Sequence, residues 1–207
     1  MLPDVLKRIE IACQATKRDP REIKLIAVTK GHSLEAINSA ILAHGHSSLG
    51  ENRIQEALPK LEAQPNLDWH LIGHLQTNKV KFCAGFSMIH SIDSLRLLEE
   101  IAKRGAAWAQ IPELLLEVNF EAQKAGATPS QIPELLAAAS SLGLSVRGLM
   151  TVAPQDLGLA KEAFTSLRRL RDTHHLEHLS IGMSDDLELA IEAGTTMLRV
   201  GRACFTP

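Results

Sequence analysis

A lysine stands at the end of a run of apolar and β-branched residues, in the segment IAVTKGHS at positions 26–33. If side chains alternate along this strand, Ile26, Val28 and Lys30 share one face, and the amine emerges at the carboxyl end. A lysine that is desolvated there has a lowered pKa and can attack a carbonyl to form a Schiff base. The alternative is a lysine with a buried stem whose ammonium group reaches solvent. Lys30 alone does not decide between these two interpretations.

Two short segments near the C-terminus predict a site for an anion such as phosphate. Each follows a predicted strand, and the first is expected to open a helix, which offers backbone N–H groups and the positive end of the helix dipole. Each segment alone could instead cap a helix or turn the chain, but their joint placement favours phosphate. Because carboxylates would repel phosphate, Asp185 and Asp186 are expected to point away. The predicted phosphate-binding residues are Gly182, Met183, Ser184, Gly201 and Arg202.

An arginine lies within the last predicted strand, where Arg199 shares a face with Met197. An inward guanidinium cannot stay unpaired, so it needs a carboxylate or an acceptor on a ligand, such as a heteroaromatic ring nitrogen. A reactive lysine, two phosphate-binding segments and a donor for a ring nitrogen together describe a pocket for pyridoxal 5′-phosphate (PLP).

The elements that position these residues follow an α/β pattern, in which short β-branched runs alternate with amphipathic stretches of helical period. Eight β/α units of roughly 25 residues fill the chain, which predicts one domain over residues 1–207, a (β/α)8 TIM barrel with an extra N-terminal helix. Active sites of such barrels lie at the carboxyl ends of the strands. The predicted strands are Ile23–Lys30, Ser47–Asn52, Asp68–Gly73, Ser87–Ser91, Leu114–Asn119, Ser145–Met150, His178–Gly182 and Thr196–Gly201.

Local signals refine this pattern between the strands. Ser130 is expected to cap a helix with Pro133 in its first turn, and Gly105 to end another helix in the left-handed conformation. The hexapeptide QIPELL occurs at 110–115 and at 131–136. The first copy runs into a predicted strand and the second into a predicted helix, so context should decide their structures.

Composition excludes several classes of partner. The 207 residues carry 22 basic and 24 acidic side chains, a net charge of −2, with no long block of either sign, so neither nucleic acid nor a membrane surface is expected. The N-terminal 20 residues resemble neither a signal peptide nor a membrane span, and we expect a cytoplasmic protein. The three cysteines are widely spaced and are expected to be free thiols, and no metal site is predicted.

A series of motifs, in order along nearly the whole chain, resembles the pyridoxal phosphate homeostasis protein family. They are TKGHS at 29–33, GENRIQE at 50–56, WHLIGHLQTNK at 69–79, HSIDS at 90–94, EVNFEAQKAG at 117–126, RGLMTVAP at 147–154, LSIGMSDD at 179–186 and LRVGRACF at 198–205. The family is similar to the barrel of alanine racemase and ornithine decarboxylase, the PLP fold-type III. Those enzymes add a β domain that this chain has no residues for, so a monomer is expected.

The resemblance also implies roles for single residues. Lys30 would hold PLP as an internal aldimine, the two C-terminal segments would hold its phosphate, and Arg199 would face the pyridine nitrogen. Arg202 stands where the family commonly has a small or hydroxyl residue, so a backbone N–H is expected to make that phosphate contact. Further pocket walls would be Asn52, His74 and Met150.

The function predicted from these features is a non-catalytic PLP-binding protein that carries or buffers the cofactor in vitamin B6 and amino-acid homeostasis. A cationic arginine at the ring nitrogen weakens the cofactor as an electron sink. Racemisation also needs a second acid/base, a tyrosine in the resembling racemase, and this chain contains no tyrosine.

Three alternatives remain open from the sequence. The first is residual racemase activity, and the second is an aldolase-type barrel that uses its lysine on a sugar phosphate. The third is a scaffold for a regulatory protein, in which the cofactor is incidental. PLP-dependent apo-enzymes are the other protein partners considered.

Overall fold

The computed structural model describes residues 1–121 and 125–206, so part of the motif at 117–126 lies outside the described residues. Within them, eight parallel strands close into a barrel in the order β1 to β8, with β8 paired to β1. The predicted barrel is confirmed. The strands are β1 (Lys24–Val28), β2 (Ser48–Glu51), β3 (Asp68–Leu71), β4 (Met88–Ile92), β5 (Glu113–Glu117), β6 (Val146–Met150), β7 (His178–Ser180) and β8 (Met197–Val200).

Helices connect these strands and cover the barrel. A 3-10 helix at Thr77–Phe82 takes the place of an α-helix after β3. The α-helices are α1 (Leu2–Thr16), α2 (Leu34–Ala40), α3 (Ile54–Ala63), α4 (Leu95–Gly105), α5 (Ile132–Ser141), α6 (Leu157–Thr173), α7 (Leu187–Glu192) and α8 (Arg202–Phe205). None of the helices in residues 1–121 and 125–206 combines the length and apolar character needed to cross a membrane.

Alternation along the strands produces two separate apolar regions. Side chains that point outward from the strands pack under the helices in the main core. Inward side chains form a small apolar layer inside the barrel, composed of Ile26, Met88, Leu115, Met150 and Met197. Because Ile26 points inward, Val28 and Lys30 follow it toward the carboxyl end on the same side.

The extra helix α1 precedes β1 and packs against α7 and α8. The following residues fasten it, since Arg18 donates from Nη1 to the Ile191 carbonyl at 3.0 Å and from Nη2 to the Thr195 carbonyl at 2.8 Å. This arrangement places α1 beside the C-terminal segments that the sequence associates with phosphate.

Two helix-boundary predictions were wrong. Thr128, not Ser130, begins the turn before α5, through a capping box with Gln131, and Pro133 does lie in the first turn of α5. Gly105 is the last residue of α4, and its φ is not positive. The helix is capped by Ala106, which is in the right-handed region. All three cysteines are free, as predicted, and the structure shows that all three are buried.

Candidate cofactor site at the barrel mouth

A cavity of about 340 Å³ opens where the carboxyl ends of the strands meet, and its volume is in the range of small-molecule sites. Most of the predicted binding residues line it, although they come from widely separated parts of the chain. The lining residues are Val28, Lys30, Asn52, Ile72, Val152, Met183, Ser184, Asp185, Arg199, Gly201 and Arg202.

Lys30 lies two residues beyond the end of β1. Its side chain lines the cavity and is exposed, so the amine stands at the wet mouth of the barrel. Of the two interpretations that the sequence left open, this exposure agrees with a lysine whose ammonium group reaches solvent. Gly31 follows in the left-handed region, with φ of 74°, and turns the chain away directly after the amine.

A buried ion pair supports the backbone just before Lys30. Lys60 of α3 donates to Glu51 at 2.5 Å and to the Thr29 carbonyl at 2.8 Å, and the Thr29 hydroxyl donates to Glu51 at 2.6 Å. The Glu51 side chain is fully buried. These contacts join β1, β2 and α3 and fix the strand end that carries Lys30.

The first predicted phosphate segment is a loop between β7 and α7. Gly182 is required there, because its φ is +95° and an added Cβ would lie 2.5 Å from that of Ala190. The helix begins only at Leu187, so the prediction that it opens at Ser184 was wrong. Asp186 is buried and accepts a hydrogen bond from the Met183 N–H at 2.5 Å, so it points into the loop and not away from it.

The second predicted segment lies between β8 and the short helix α8. A Cβ on Gly201 would make only ordinary contacts, the nearest at 3.6 Å to Val28. Neither its φ nor its neighbours within the protein therefore require glycine at this position. The space beside Gly201 belongs to the cavity, where a close approach by a ligand would benefit from the missing side chain.

Arg199 points into the barrel and is 4% exposed. Its Nη1 donates to the carbonyl and the hydroxyl of Ser180, each at 2.7 Å, and its Nη2 donates to the Thr151 carbonyl at 2.9 Å. A hydroxyl and two carbonyl oxygens of the protein therefore accept hydrogen bonds from the guanidinium. The sequence had suggested a carboxylate or a ligand as the acceptor. Burial lowers the pKa of Arg199 to about 10, while Asp186 and Glu117 oppose the shift.

Comparisons with known proteins agree with this geometry. Residues 7–207 match the family model for the alanine racemase N-terminal domain. The pyridoxal phosphate homeostasis protein of Deinococcus radiodurans is 42% identical over 206 residues, which cover 99% of each chain. The chain belongs to the pyridoxal phosphate homeostasis protein family. The homologue from Aquifex aeolicus is 40% identical over 99% of this chain and 95% of its own length.

A solved structure of this family extends the comparison to three dimensions. PipY of Synechococcus elongatus, with PLP bound, is 34% identical, with a TM-score of 0.82 over 96% of this chain and 99% of PipY. The family resemblance inferred from the sequence motifs is thus confirmed.

Three of the residues that the family resemblance suggested do not line the cavity. His74 is exposed, with Nδ1 3.7 Å from Asp93 Oδ2, and Met150 is buried in the apolar layer inside the barrel. Gly182 shapes its loop without facing the cavity.

Two residues that line the cavity, Ile72 and Val152, were not predicted from the sequence. Strand alternation could have found Ile72, which follows inward His70 by two positions. Val152 lies in a loop that carries no periodic signal.

Proposed function

We propose that this chain binds PLP reversibly at the barrel mouth, as a carrier or buffer of the cofactor and not as an enzyme. One observation carries the proposal: a single cavity is lined by a primary amine, by residues of the two predicted phosphate-binding segments and by a buried guanidinium. The family assignment and the PLP-bound structure of PipY support it.

The residues present fit the chemistry of this ligand. When bound, PLP supplies an aldehyde that condenses with amines and a ring that accepts electrons. Lys30 is the amine at the mouth, and Ser184, Gly201 and Arg202, which line the same cavity, would hold the phosphate. Exposed Asp185 also lines the cavity, contrary to the expectation that it points away, and Arg202 supplies a positive charge to the same lining.

Two features argue against catalysis on amino acids. Arg199 retains its proton at neutral pH despite burial, and a cation facing the pyridine nitrogen discourages protonation of that nitrogen. The chain also contains no tyrosine to act as a second acid/base opposite Lys30. The site thus holds the cofactor while restraining carbanion chemistry.

The physiological role that follows is the storage of a reactive aldehyde and its exchange with other amines. Exposed Lys30 favours exchange, because incoming amines reach it from solvent. PLP-dependent apo-enzymes are the recipients that this role requires, and vitamin B6 and amino-acid pools are what it influences. The monomeric state stays a prediction, which light scattering of the purified protein can check.

Visible absorption tests the proposal directly. Protein incubated with PLP and then desalted should show the band of a lysine-bound cofactor. Lys30→Ala should lose the band, and Lys161→Ala should keep it, because Lys161 is an exposed lysine of α6. Racemase and decarboxylase assays should give no turnover. Wild-type protein without a band would refute PLP binding through Lys30 and favour the sugar-phosphate aldolase.

A further inference from the structure

Polar residues occupy the interior of the barrel, where branched apolar side chains usually dominate. They form a column from the amino-terminal end of β3 to Arg199, near the carboxyl end of β8. The cavity at the mouth does not use these side chains, with the exception of Arg199. The interior polar column consists of Asp68 and His70 of β3, His90 of β4, Ser180 of β7 and Arg199 of β8.

Each member of the column contacts the next. The Arg199 Nη1 to Ser180 Oγ distance is 2.7 Å, and the Ser180 Oγ to His90 Nδ1 distance is 2.9 Å. His90 Nε2 lies 3.0 Å from His70 Nδ1, and His70 Nε2 lies 3.1 Å from Asp68 Oδ2. His70, His90 and Ser180 are almost completely buried, so water does not compete for these contacts.

Arg199 sets the direction of the hydrogen bonds at the upper end of the column. Arginine can only donate, so Ser180 Oγ accepts from Arg199, and its single hydrogen can be donated to His90 Nδ1 when that nitrogen is unprotonated. Neutral His90 then carries its proton on Nε2 and donates to His70 Nδ1. Neutral His70 in turn carries its proton on Nε2, on the side of Asp68, whose Oδ2 lies 3.1 Å away without hydrogen-bond geometry. With both histidines neutral, this arrangement satisfies the hydrogen bonds that join Arg199, Ser180, His90 and His70.

The column does not accommodate an extra proton. A second proton on His90 would point an N–H at Ser180, whose hydroxyl hydrogen would then lose its acceptor. Burial lowers the pKa of His90 well below its usual value, and the positive charges of Arg199 and Lys24 add to the effect. At the lower end, Lys24 and Ser48 contact Asp68 at 3.0 and 2.7 Å and help to keep it ionised.

We infer that Asp68, His70, His90 and Ser180 are positioning residues for Arg199, and that they link the cofactor's ring environment to the opposite end of the barrel. Three of the five guanidinium N–H groups are used on Ser180 and Thr151, which leaves two donors for a ligand. The inference rests on the proposed function, because Arg199 matters to the ring only if PLP binds at this site.

The proton arrangement can be tested without cofactor, by NMR of protein labelled with ¹⁵N-histidine. Histidine signals are assigned with His70→Gln and His90→Gln. Both residues should show a protonated Nε2 and an unprotonated Nδ1, and His90 should not titrate between about pH 5 and 8, where histidines usually do. A protonated Nδ1 on His90, or its titration in this range, would overturn the inference.

The link to the cofactor is tested with Ser180→Ala, which removes only the hydroxyl. We expect a displaced visible band of bound PLP and an about tenfold weaker affinity, typical of one hydrogen bond involving a charged group. Ser180→Thr should restore both. The control Met88→Leu alters the apolar layer beside the column and should leave the position of the band unchanged.

The outcomes separate the two proposals. Bound PLP with an identical band and affinity in wild type and Ser180→Ala overturns the inference and leaves the proposed function standing. Wild-type protein without a band refutes the proposed function, and with it the link to the cofactor, whereas the NMR result still decides the proton arrangement.

Discussion

Replacing Lys60 by methionine should be one of the most damaging single changes near the site. The ammonium of Lys60 contacts the fully buried carboxylate of Glu51 at 2.5 Å, and the lysine side chain is itself only 10% exposed. Methionine keeps an unbranched side chain, one atom shorter than that of lysine, and removes the charge. The buried carboxylate of Glu51 would then lose its contact with Lys60 and keep the hydrogen bond from the Thr29 hydroxyl.

The size of the loss follows from this burial. Removing one partner of a buried ion pair typically costs about 3–5 kcal/mol. For a protein of this length each kcal/mol corresponds to about 2–4 °C, so the melting temperature should fall by about 6–20 °C. Adding Glu51→Gln removes the stranded charge while an amide oxygen can still accept from Thr29. The double variant should therefore be more stable than Lys60→Met alone.

Urea unfolding followed by circular dichroism measures these differences, and all four corners of the double-mutant cycle are needed. Lys161→Met is the matched control, because its side chain is 63% exposed and its nearest carboxylate lies 3.8 Å away. The reasoning is refuted if Lys60→Met costs less than about 1 kcal/mol, the range of exposed ion pairs. It is also refuted if the double variant is less stable than Lys60→Met.

Four further outcomes are expected. Arg8 donates to the Ser184 carbonyl at 3.0 Å, so Arg8→Ala should weaken PLP binding in a spectroscopic titration by about three- to tenfold. Gly182→Ala should lower the free energy of unfolding, measured in urea, by about 1–3 kcal/mol, because its φ is +95° and the added Cβ would crowd Ala190. Burial raises the pKa of Cys83 to about 12, so thiol reagents at about pH 8 should label it only after unfolding. Although burial opposes it, contacts with His70, Ser48 and Lys24 lower the pKa of Asp68. The stabilisation from ionised Asp68 is therefore lost as pH falls below about 4, and Asp68→Asn should flatten the acid-unfolding curve.

The barrel could be predicted because its strands are buried on both faces and its helices on one, which leaves two distinct periods in the sequence. The duplicated hexapeptide QIPELL shows where local preference ends. Its first copy enters β5 at Glu113, and its second lies mostly in α5 from Ile132. Identical residues adopt two structures, so the alternation of neighbouring elements had to decide between them.

The site was predictable where residues directly follow strands and less so within loops. Lys30, Arg199 and Gly201 reach the cavity because each stands at or near the end of a parallel strand. Asp186 could not be placed in this way. Its contact with the Met183 N–H depends on the backbone of a loop, which has no period to read.

The column inside the barrel was the least predictable feature, since closure of the sheet brings together residues 90 positions apart, as His90 and Ser180 are. Its chemical consequence concerns Arg199. Its lowered pKa of about 10 still lies well above 7, so Arg199 keeps its proton at neutral pH. A guanidinium that is cationic and held by fixed acceptors presents donors to a ring nitrogen and no acceptor for its proton. A cofactor bound as we propose, with its ring nitrogen at Arg199, would keep an unprotonated ring, and Arg199 would then favour holding the cofactor over using it to stabilise a carbanion.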